Sequence, residues 1–441
     1  MLHIETDQLF DGRELRGPAR IVLDGERVSS VTAPAGVPEP DVRCSFAMPG
    51  LVDSHVHISG YTEGMPNGHP FEPMKSFLRL CALTGVTTVR DLGNSLETIA
   101  YVKEWSERFA GPRVAAAGPL LDAPPLRWAF SRLVRTPDEA DREVERLAFE
   151  GVDWLKAYRG IEPEVMRAIV AAGERHGLPV ATDCGATSAL DAARAGVCSI
   201  EHAANLRAGE PAGTSIADAR EWASFDAGAE LRETLLECGT FIIPTLLVSR
   251  RHCLLEEVVA DPYLDFAVAV MPYHRHFKRM RSSMGMRMGR RYVRQYMGIP
   301  ELSRDEREEV VAGLSRMGEL VAALHAAGVK VVAGTDTPNP SLAPGFSLHE
   351  ELAAMAEAGI PVPDVLASAT SRAGELLGDG DLGVVRPGAH ADVLCLDADA
   401  ASDLGALGRI REVFVRGERV DRERLRTQLH EAIEAVEAAA A

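Results

Sequence analysis

The sequence is short of basic charge, of paired cysteines and of long apolar runs, and each shortage excludes a class of protein. Its 441 residues hold 65 acidic and 47 basic side chains, a net charge of −18 that disfavours a broad nucleic-acid-binding surface. The seven cysteines include no Cys-x-x-Cys pair, so a reducing compartment is expected rather than a disulfide framework. No apolar run approaches the roughly 20 residues of a membrane helix, and the amino terminus lacks the pattern of a signal peptide. We therefore expect a cytoplasmic protein without membrane or nucleic-acid partners.

Between residues 48 and 379 the sequence alternates short apolar runs with amphipathic stretches. Alternating strands and helices predict a parallel sheet, and eight such units predict the α/β fold class as a closed (β/α)8 TIM barrel. In several units a glycine follows the predicted helix, as Gly177 and Gly328 do, which is typical of helix C-termini. The predicted strands are Leu51–His57, Val86–Asp91, Arg113–Ala117, Val152–Tyr158, Val180–Asp183, Cys198–His202, Phe241–Leu247 and Val329–Asp336.

Strand-like sequence also occupies both ends of the chain, in residues 1–47 and 380–425. Each end is too small to bury a core alone, so we predict that they pair into one small composite β-sandwich. Residues 426–441 are predicted to form a C-terminal helix. Residues 250–300 follow the seventh strand and contain the basic, methionine-rich stretch Lys278–Arg291. Segments after barrel strands lie on the catalytic face, which favours a lid-like insertion, with a solvated helical insertion as the alternative.

Two histidines stand at the end of the first predicted barrel strand. Residues i and i+2 of a strand point the same way, so His55 and His57 project together. Two imidazoles at that spacing suit a metal ion such as Zn²⁺. The His-x-His pattern alone is more often a surface or core pair, and further residues must decide between the two interpretations.

Other predicted strands also end in chemically active side chains. Lys156, Asp183, His202 and Asp336 lie at or near the ends of the fourth, fifth, sixth and eighth strands. Any one of them has an ordinary explanation; a lysine, for example, is usually at the surface. Together with the histidine pair they favour an active site, because barrel enzymes carry their chemistry at strand C-termini.

The motifs that carry these residues resemble those of the amidohydrolase superfamily, most closely its imidazolonepropionase and Xaa-Pro dipeptidase-like branch. The resemblance covers nearly the whole chain. Its main motifs are Pro49-Gly-Leu-Val-Asp-Ser-His-Val-His57, Gly85-Val-Thr-Thr-Val-Arg-Asp91, Ile200-Glu-His202, Gly334-Thr-Asp336 and Pro387-Gly-Ala-His-Ala-Asp392. These motifs are specific for the superfamily and weakly specific for substrate.

The resemblance implies a metal-dependent hydrolase that cleaves an amide C–N bond with metal-activated water. It implies that His55, His57 and Asp336 hold the more buried metal ion. It further implies that Lys156 is catalytically important as a carbamate that bridges to a second ion. Asp336 would be the general base, taking the proton of the attacking water and passing it to the leaving nitrogen.

The sequence departs from the family pattern at Asp183, where relatives usually have a histidine. A carboxylate can bind zinc, so Asp183 and His202 could still hold a second ion beside carbamylated Lys156. The alternative is an ion pair between Asp183 and an unmodified Lys156 ammonium, which requires neither carbon dioxide nor a second metal. That argument favours one Zn²⁺ ion and leaves two open.

The substrate is the least determined feature of the sequence. Tyr158 shares the face of Lys156 and is predicted to contact substrate, and His349, which follows the eighth strand, is a second candidate. We expect a peptide or an acyl amino acid. The alternatives are a modified peptide trimmed during natural-product maturation, a cyclic amide, deamination, and a metal-free barrel that acts as a binding protein. The sequence leaves homo-oligomerisation open.

Overall fold

The computed structural model of the chain describes residues 1–34, 38–59, 71–126, 128–206, 228–254, 263, 266, 302–339 and 342–438. Its strands are β1 (Leu2–Phe10), β2 (Leu15–Arg16), β3 (Ala19–Asp24), β4 (Arg27–Thr32), β5 (Val42–Pro49), β6 (Leu51–Val56), β7 (Val86–Asp91), β8 (Arg113–Ala116), β9 (Leu121–Asp122), β10 (Arg132–Leu133), β11 (Leu155–Ala157), β12 (Val180–Thr182), β13 (Ser199–Glu201), β14 (Phe241–Ile243), β15 (Val393–Leu396), β16 (Ile410–Val415) and β17 (Glu418–Arg419). Its α-helices are α1 (Phe71–Leu83), α2 (Leu96–Arg108), α3 (Pro137–Phe149), α4 (Pro163–His176), α5 (Ala189–Ala195), α6 (Gly228–Cys238), α7 (Leu246–Cys253), α8 (Arg304–Ala326), α9 (Phe346–Glu357), α10 (Val362–Ser368), α11 (Ser371–Leu376) and α12 (Arg422–Ala438).

Strands from both chain ends form one eight-stranded sheet, in the order β17-β16-β15-β5-β1-β3-β4 with β2 beside β1. The two ends meet where β5 pairs antiparallel with β15, with Ala47 opposite Cys395. Ile4, Ile21 and Phe414 of this sheet share a buried apolar cluster and have no measurable exposure. The second layer that a sandwich requires stays a prediction.

The central part of the chain forms two parallel sheets, as the strand–helix alternation predicts. One has the order β6-β7-β8 and the other the order β10-β9-β11-β12-β13-β14. Apart from β8 and β10, their strands are buried and rich in Val, Ile, Leu and Ala, as expected where helices cover a parallel sheet. The two parallel sheets are consistent with a barrel.

Several predicted element boundaries differ in the structure; the fourth predicted strand, for example, is shorter, at Leu155–Ala157. The seventh strand ends at Ile243, because Pro244 lacks an N–H and Thr245 has a positive φ of 45°, after which α7 begins. The predicted eighth strand, 329–336, makes isolated bridges through Val331 and Thr337 in place of a regular strand. The C-terminal helix begins at Arg422, four residues earlier than predicted.

The glycine pattern of the sequence corresponds to left-handed turns after helices. Gly177 ends α4 with a φ of 69°, and Gly328 follows α8 with a φ of 98°. A side chain is disfavoured at such angles, so these turns set the direction in which the next strand enters the sheet. None of the described helices is both long and apolar enough to cross a membrane. The predicted lid, residues 250–300, lies outside the described residues except for 250–254, 263 and 266.

Candidate active site

The side chains of His55, His57 and Asp336 converge at one point. Oδ1 of Asp336 is 3.5 Å from Nε2 of His55 and 3.2 Å from Nε2 of His57. One ligand atom from each residue lies within 4.8 Å of the other two. His55 is the last-but-one residue of β6 and His57 follows that strand, so the period-two prediction places them correctly. Two imidazoles and a carboxylate are a donor set that suits a divalent metal ion.

Three residues of the site have a backbone conformation that few side chains adopt. His202, after β13, and Asp336 both have a φ of 64°, and Thr245 has a φ of 45°. Such a conformation costs on the order of 1–3 kcal/mol for a residue other than glycine and persists only where the surroundings impose it. The backbone N–H of Asp336 donates to the carbonyl oxygen of His55 at 2.7 Å, which fixes the turn that directs its carboxylate toward the histidines.

The charges of two of the three converging groups, His55 and Asp336, match those of metal ligands. Burial lowers the pKa of His55 to about 3, so this imidazole is neutral. Burial acts to raise the pKa of Asp336, but the neighbouring imidazoles hold it well below its ordinary value. Burial acts to lower the pKa of His57, yet its contact with Asp336 raises it overall. A neutral donor and an ionised donor therefore face the same point.

Lys156 lies on β11 and is 1% exposed, not at the surface. Among the described residues its Nζ has no hydrogen-bond partner, and no ion pair joins it to Asp183. The ion pair that favoured a single metal ion is therefore not formed. Burial lowers the pKa of Lys156, which favours the neutral amine. A buried, unpartnered amine is the chemical requirement for a carbamate, so the residue fits that modification.

Asp183 and His202 lie side by side beyond β12 and β13. Nε2 of His202 is 3.9 Å from Oδ2 of Asp183, and its Nδ1 is 2.7 Å from Oγ1 of Thr245. Oδ1 of Asp183 accepts a hydrogen bond from Nδ2 of Asn205 at 2.5 Å. Asn205 also donates to the carbonyl oxygen of Glu201, so it ties the loop after β12 to β13. Asn205 and Thr245 were not predicted as site residues.

Two further residues that the sequence reasoning missed lie behind His55. Arg90 on β7 and Glu201 on β13 form an ion pair of 2.9 Å in which both side chains have no exposure. Burial acts to raise the pKa of Glu201, but the Arg90 guanidinium holds it well below its ordinary value. The signal was present in the sequence, because both charges interrupt apolar strands where an unpaired charge is costly.

A cavity opens beside the converging groups and is lined by several polar and aromatic residues. Tyr158, predicted to contact substrate, lines it, and its hydroxyl accepts a hydrogen bond from Nε1 of Trp128 at 3.3 Å. Phe130 stacks on Trp128 with 11° between the ring planes. Arg159 also lines the cavity, and its side chain makes no hydrogen bond or ion pair with the described residues. His349 is elsewhere, with Nε2 3.0 Å from the carbonyl oxygen of Thr84, so its position does not support substrate contact.

Comparisons with solved structures show a similarity of fold. The chain is similar in structure to a bottromycin amidohydrolase, with 22% identity, a TM-score of 0.73 and coverage of 98% of this chain and 90% of that one. It is also similar to a Xaa-Pro dipeptidase with bound methionine, with 20% identity, a TM-score of 0.69 and coverage of 95% and 99%. A putative prolidase from Bifidobacterium longum gives 21% identity, a TM-score of 0.69 and coverage of 98% of both chains.

These similarities, all under 25% identity, concern the fold, and they include the Xaa-Pro dipeptidase branch predicted from the motifs. A search of curated proteins finds no match. The profile of the Amidohydrolase family matches residues 46–420, which include the histidine pair, Lys156, Asp183, His202 and Asp336. The protein is therefore a member of the Amidohydrolase family.

Proposed function

We propose that this protein is a metal-dependent hydrolase that cleaves an amide C–N bond in a peptide or an acyl amino acid. The convergence of His55, His57 and Asp336 carries the proposal, since these donors suit zinc or a similar divalent ion. Family membership supports a hydrolase. The test is to incubate the zinc-loaded protein with N-acyl amino acids and dipeptides and to measure release of the free amine. Metal binding without amine release from any of them would contradict it.

We further propose that the two parallel sheets close into a (β/α)8 barrel spanning residues 48–379. Two backbone contacts support closure through the segment that was predicted as the eighth strand. The N–H of Ile242 donates to the carbonyl oxygen of Lys330 at 2.8 Å, and the N–H of Ser54 donates to that of Ala333 at 3.1 Å. The N–H of Asp153 donates to the carbonyl oxygen of Ala116 at 2.8 Å, which joins the end of β8 to the segment just before β11 of the other sheet. The sandwich of residues 1–47 and 380–425 remains part of this proposal.

In the proposed reaction, different side chains around the cavity carry out different proton transfers. A divalent ion would supply Lewis-acid activation of water and of the scissile carbonyl. Ionised Asp336 can accept a proton from the attacking water and return it to the leaving nitrogen. Burial raises the pKa of the Tyr158 phenol above its ordinary value, so it stays protonated and can donate to a substrate oxygen. Because Trp128 donates to the same hydroxyl, that donor has a fixed direction.

The number of metal ions is expected to depend on bicarbonate. Lys156 is buried, favours the neutral amine and lacks a partner among the described residues, so it can be carbamylated. We expect metal analysis to find about one zinc per chain without bicarbonate and about two with it. The variant Lys156→Met should stay at one in both conditions, and Asp183→His should bind the second ion more tightly. A native protein with one ion in both conditions would contradict a carbamate at this position.

Arg159 is expected to select substrates that carry a carboxylate. Its guanidinium lines the cavity near the aromatic pair Trp128 and Phe130, and the described residues offer it no counter-ion. A carboxylate and a guanidinium form a strong, bidentate pair. We expect Arg159→Met to raise KM at least tenfold for an N-acyl amino acid while leaving KM for the matching uncharged amino-acid amide within about twofold. Arg159→Lys, which keeps the charge, is the matched control and should show a smaller rise. Equal effects on both substrates would assign Arg159 a purely structural role.

A further inference from the structure

A buried hydrogen-bonded network lies behind His55, on the side away from the cavity. Nδ1 of His55 is 2.8 Å from Oε2 of Glu201. The other carboxylate oxygen, Oε1, accepts from Nη2 of Arg90 at 2.9 Å and from Oγ of Ser199 at 2.6 Å. The histidine and the arginine therefore contact different oxygens of one carboxylate. Because each carboxylate oxygen has its own partner, the carboxylate is held in one orientation as well as in its ionised form.

Arg90 is itself held on every side. Its Nε donates to the carbonyl oxygen of Ser54 at 2.6 Å, and its Nη1 donates to Oγ of Ser199 at 3.0 Å. Its guanidinium carbon lies 4.6 Å from the centroid of the Trp154 ring, a cation–π distance. Ser54 directly precedes His55, so a single guanidinium anchors both the backbone beside that histidine and the carboxylate behind its ring.

We propose that Glu201 is a positioning residue that holds the proton of the His55 imidazole on Nδ1 and so leaves the Nε2 lone pair directed at Asp336. A carboxylate can only accept hydrogen bonds, and Oε2 of Glu201 lies 2.8 Å from Nδ1 whereas Oδ1 of Asp336 lies 3.5 Å from Nε2, so the proton belongs on Nδ1. The inference rests on the proposed metal site, because the directed lone pair is what a metal ion would require. Glu201 acts through His55 and does not reach the cavity.

Two other histidines of the site, His57 and His202, have weaker versions of this contact. Nδ1 of His57 is 3.3 Å from the carbonyl oxygen of Gly93, which is a longer contact to a neutral acceptor. Nδ1 of His202 faces the hydroxyl of Thr245, which can donate or accept and therefore fixes no tautomer. Of these three rings, His55 alone contacts a buried carboxylate through Nδ1, and His57 serves as an internal control.

Replacing Glu201 with glutamine should reverse the tautomer of His55. Arg90 and Ser199 both donate to the Oε1 position, so the amide oxygen must take that place. The amide NH2 then faces Nδ1 of His55 and donates to it, which moves the imidazole proton to Nε2. In metal-free protein labelled with ¹⁵N-histidine, we expect the native His55 to show the Nδ1–H tautomer and the Glu201→Gln variant to show Nε2–H. His57 should keep its tautomer in both proteins.

Zinc affinity gives a second measurement that is independent of hydrolysis. Loss of a carboxylate behind a metal-binding histidine typically weakens the metal about 10–100-fold, and we expect that loss for Glu201→Gln in competition with a chelator. Ser199→Ala is the matched control, because it removes one donor to Glu201 but keeps the carboxylate opposite His55. Its zinc affinity should stay within about threefold of the native value.

Three results would overturn the proposal. One is a native His55 with its proton on Nε2, which needs no variant to observe. Another is a Glu201→Gln variant that keeps both the native tautomer and the native zinc affinity. If that variant fails to fold because Arg90 loses its counter-ion, Glu201→Asp keeps the charge and withdraws the carboxylate from His55. Native zinc affinity in Glu201→Asp is then the third. A protein with the expected tautomer but no amidase activity would count against the proposed function alone.

Discussion

Replacing Asp336 with asparagine is expected to lower turnover by at least two orders of magnitude while the protein stays folded. The carboxylate is ionised and lies 3.2 Å from His57, where it can take a proton from the attacking water. A positioned acid–base group is typically worth about 10²–10⁴ in rate. Asparagine tolerates the φ of 64° at this position, so the substitution removes the base without straining the turn. The measurement is kcat at saturating zinc.

The control for this variant is its metal content, because Asp336 is also one of the converging donors. The amide oxygen of asparagine can still bind a metal ion, so zinc at saturation should remain near the native level. An Asp336→Asn protein with native turnover would place the general base on another residue. A protein that loses zinc as well as activity would assign Asp336 a ligand role without isolating its role as base.

Replacing both His55 and His57 with alanine is expected to abolish metal binding and activity together. Their Nε2 atoms are two of the three donor atoms that converge, and a single carboxylate cannot hold zinc tightly in water. We expect less than about a tenth of the native zinc content after dialysis and no detectable amide hydrolysis. Metal analysis and an amine-release assay measure the two effects.

The matched control replaces two exposed histidines, His176 and His430, with alanine. It removes the same number of imidazoles from the surface and should leave both zinc content and turnover within about twofold of native. Full activity in the double variant at His55 and His57 would contradict the proposed metal site.

Local rules predicted those parts of the site that depend on one strand. The period of two along a strand put His55 and His57 on one side, and the position of Asp336 after an apolar run put it at the sheet edge. The family motif then brought the three together, and the family assignment is confirmed. Lys156 was also predicted to lie in the site, because burying the charge of a lysine at the end of an apolar run costs free energy unless that side chain has a function.

The rest of the site depends on distances that no local rule supplies. The ion pair of Lys156 with Asp183 failed as a prediction, because neighbouring strand ends do not fix the separation of two side chains. The pairing of Arg90 with Glu201 spans 111 residues, and it becomes visible only when β7 and β13 are placed in space. The eighth predicted strand bends at the left-handed Asp336, so its ladder is reduced to isolated bridges.

The contact between β6 and the segment after residue 330 determines when β6 can find all of its partners during synthesis of the protein. Asp53 accepts hydrogen bonds from the backbone N–H and the hydroxyl of Thr335, a residue 282 positions later. A ribosome adds roughly 5–20 residues per second, so the strand that carries His55 waits for roughly 15 s to 1 min for this partner. During that interval one edge of the strand has no native neighbour, and unpaired strand edges invite wrong pairing. The nascent chain therefore exposes this strand edge beside the His55–His57 pair throughout that interval, and the three converging side chains can meet only after translation has passed residue 336.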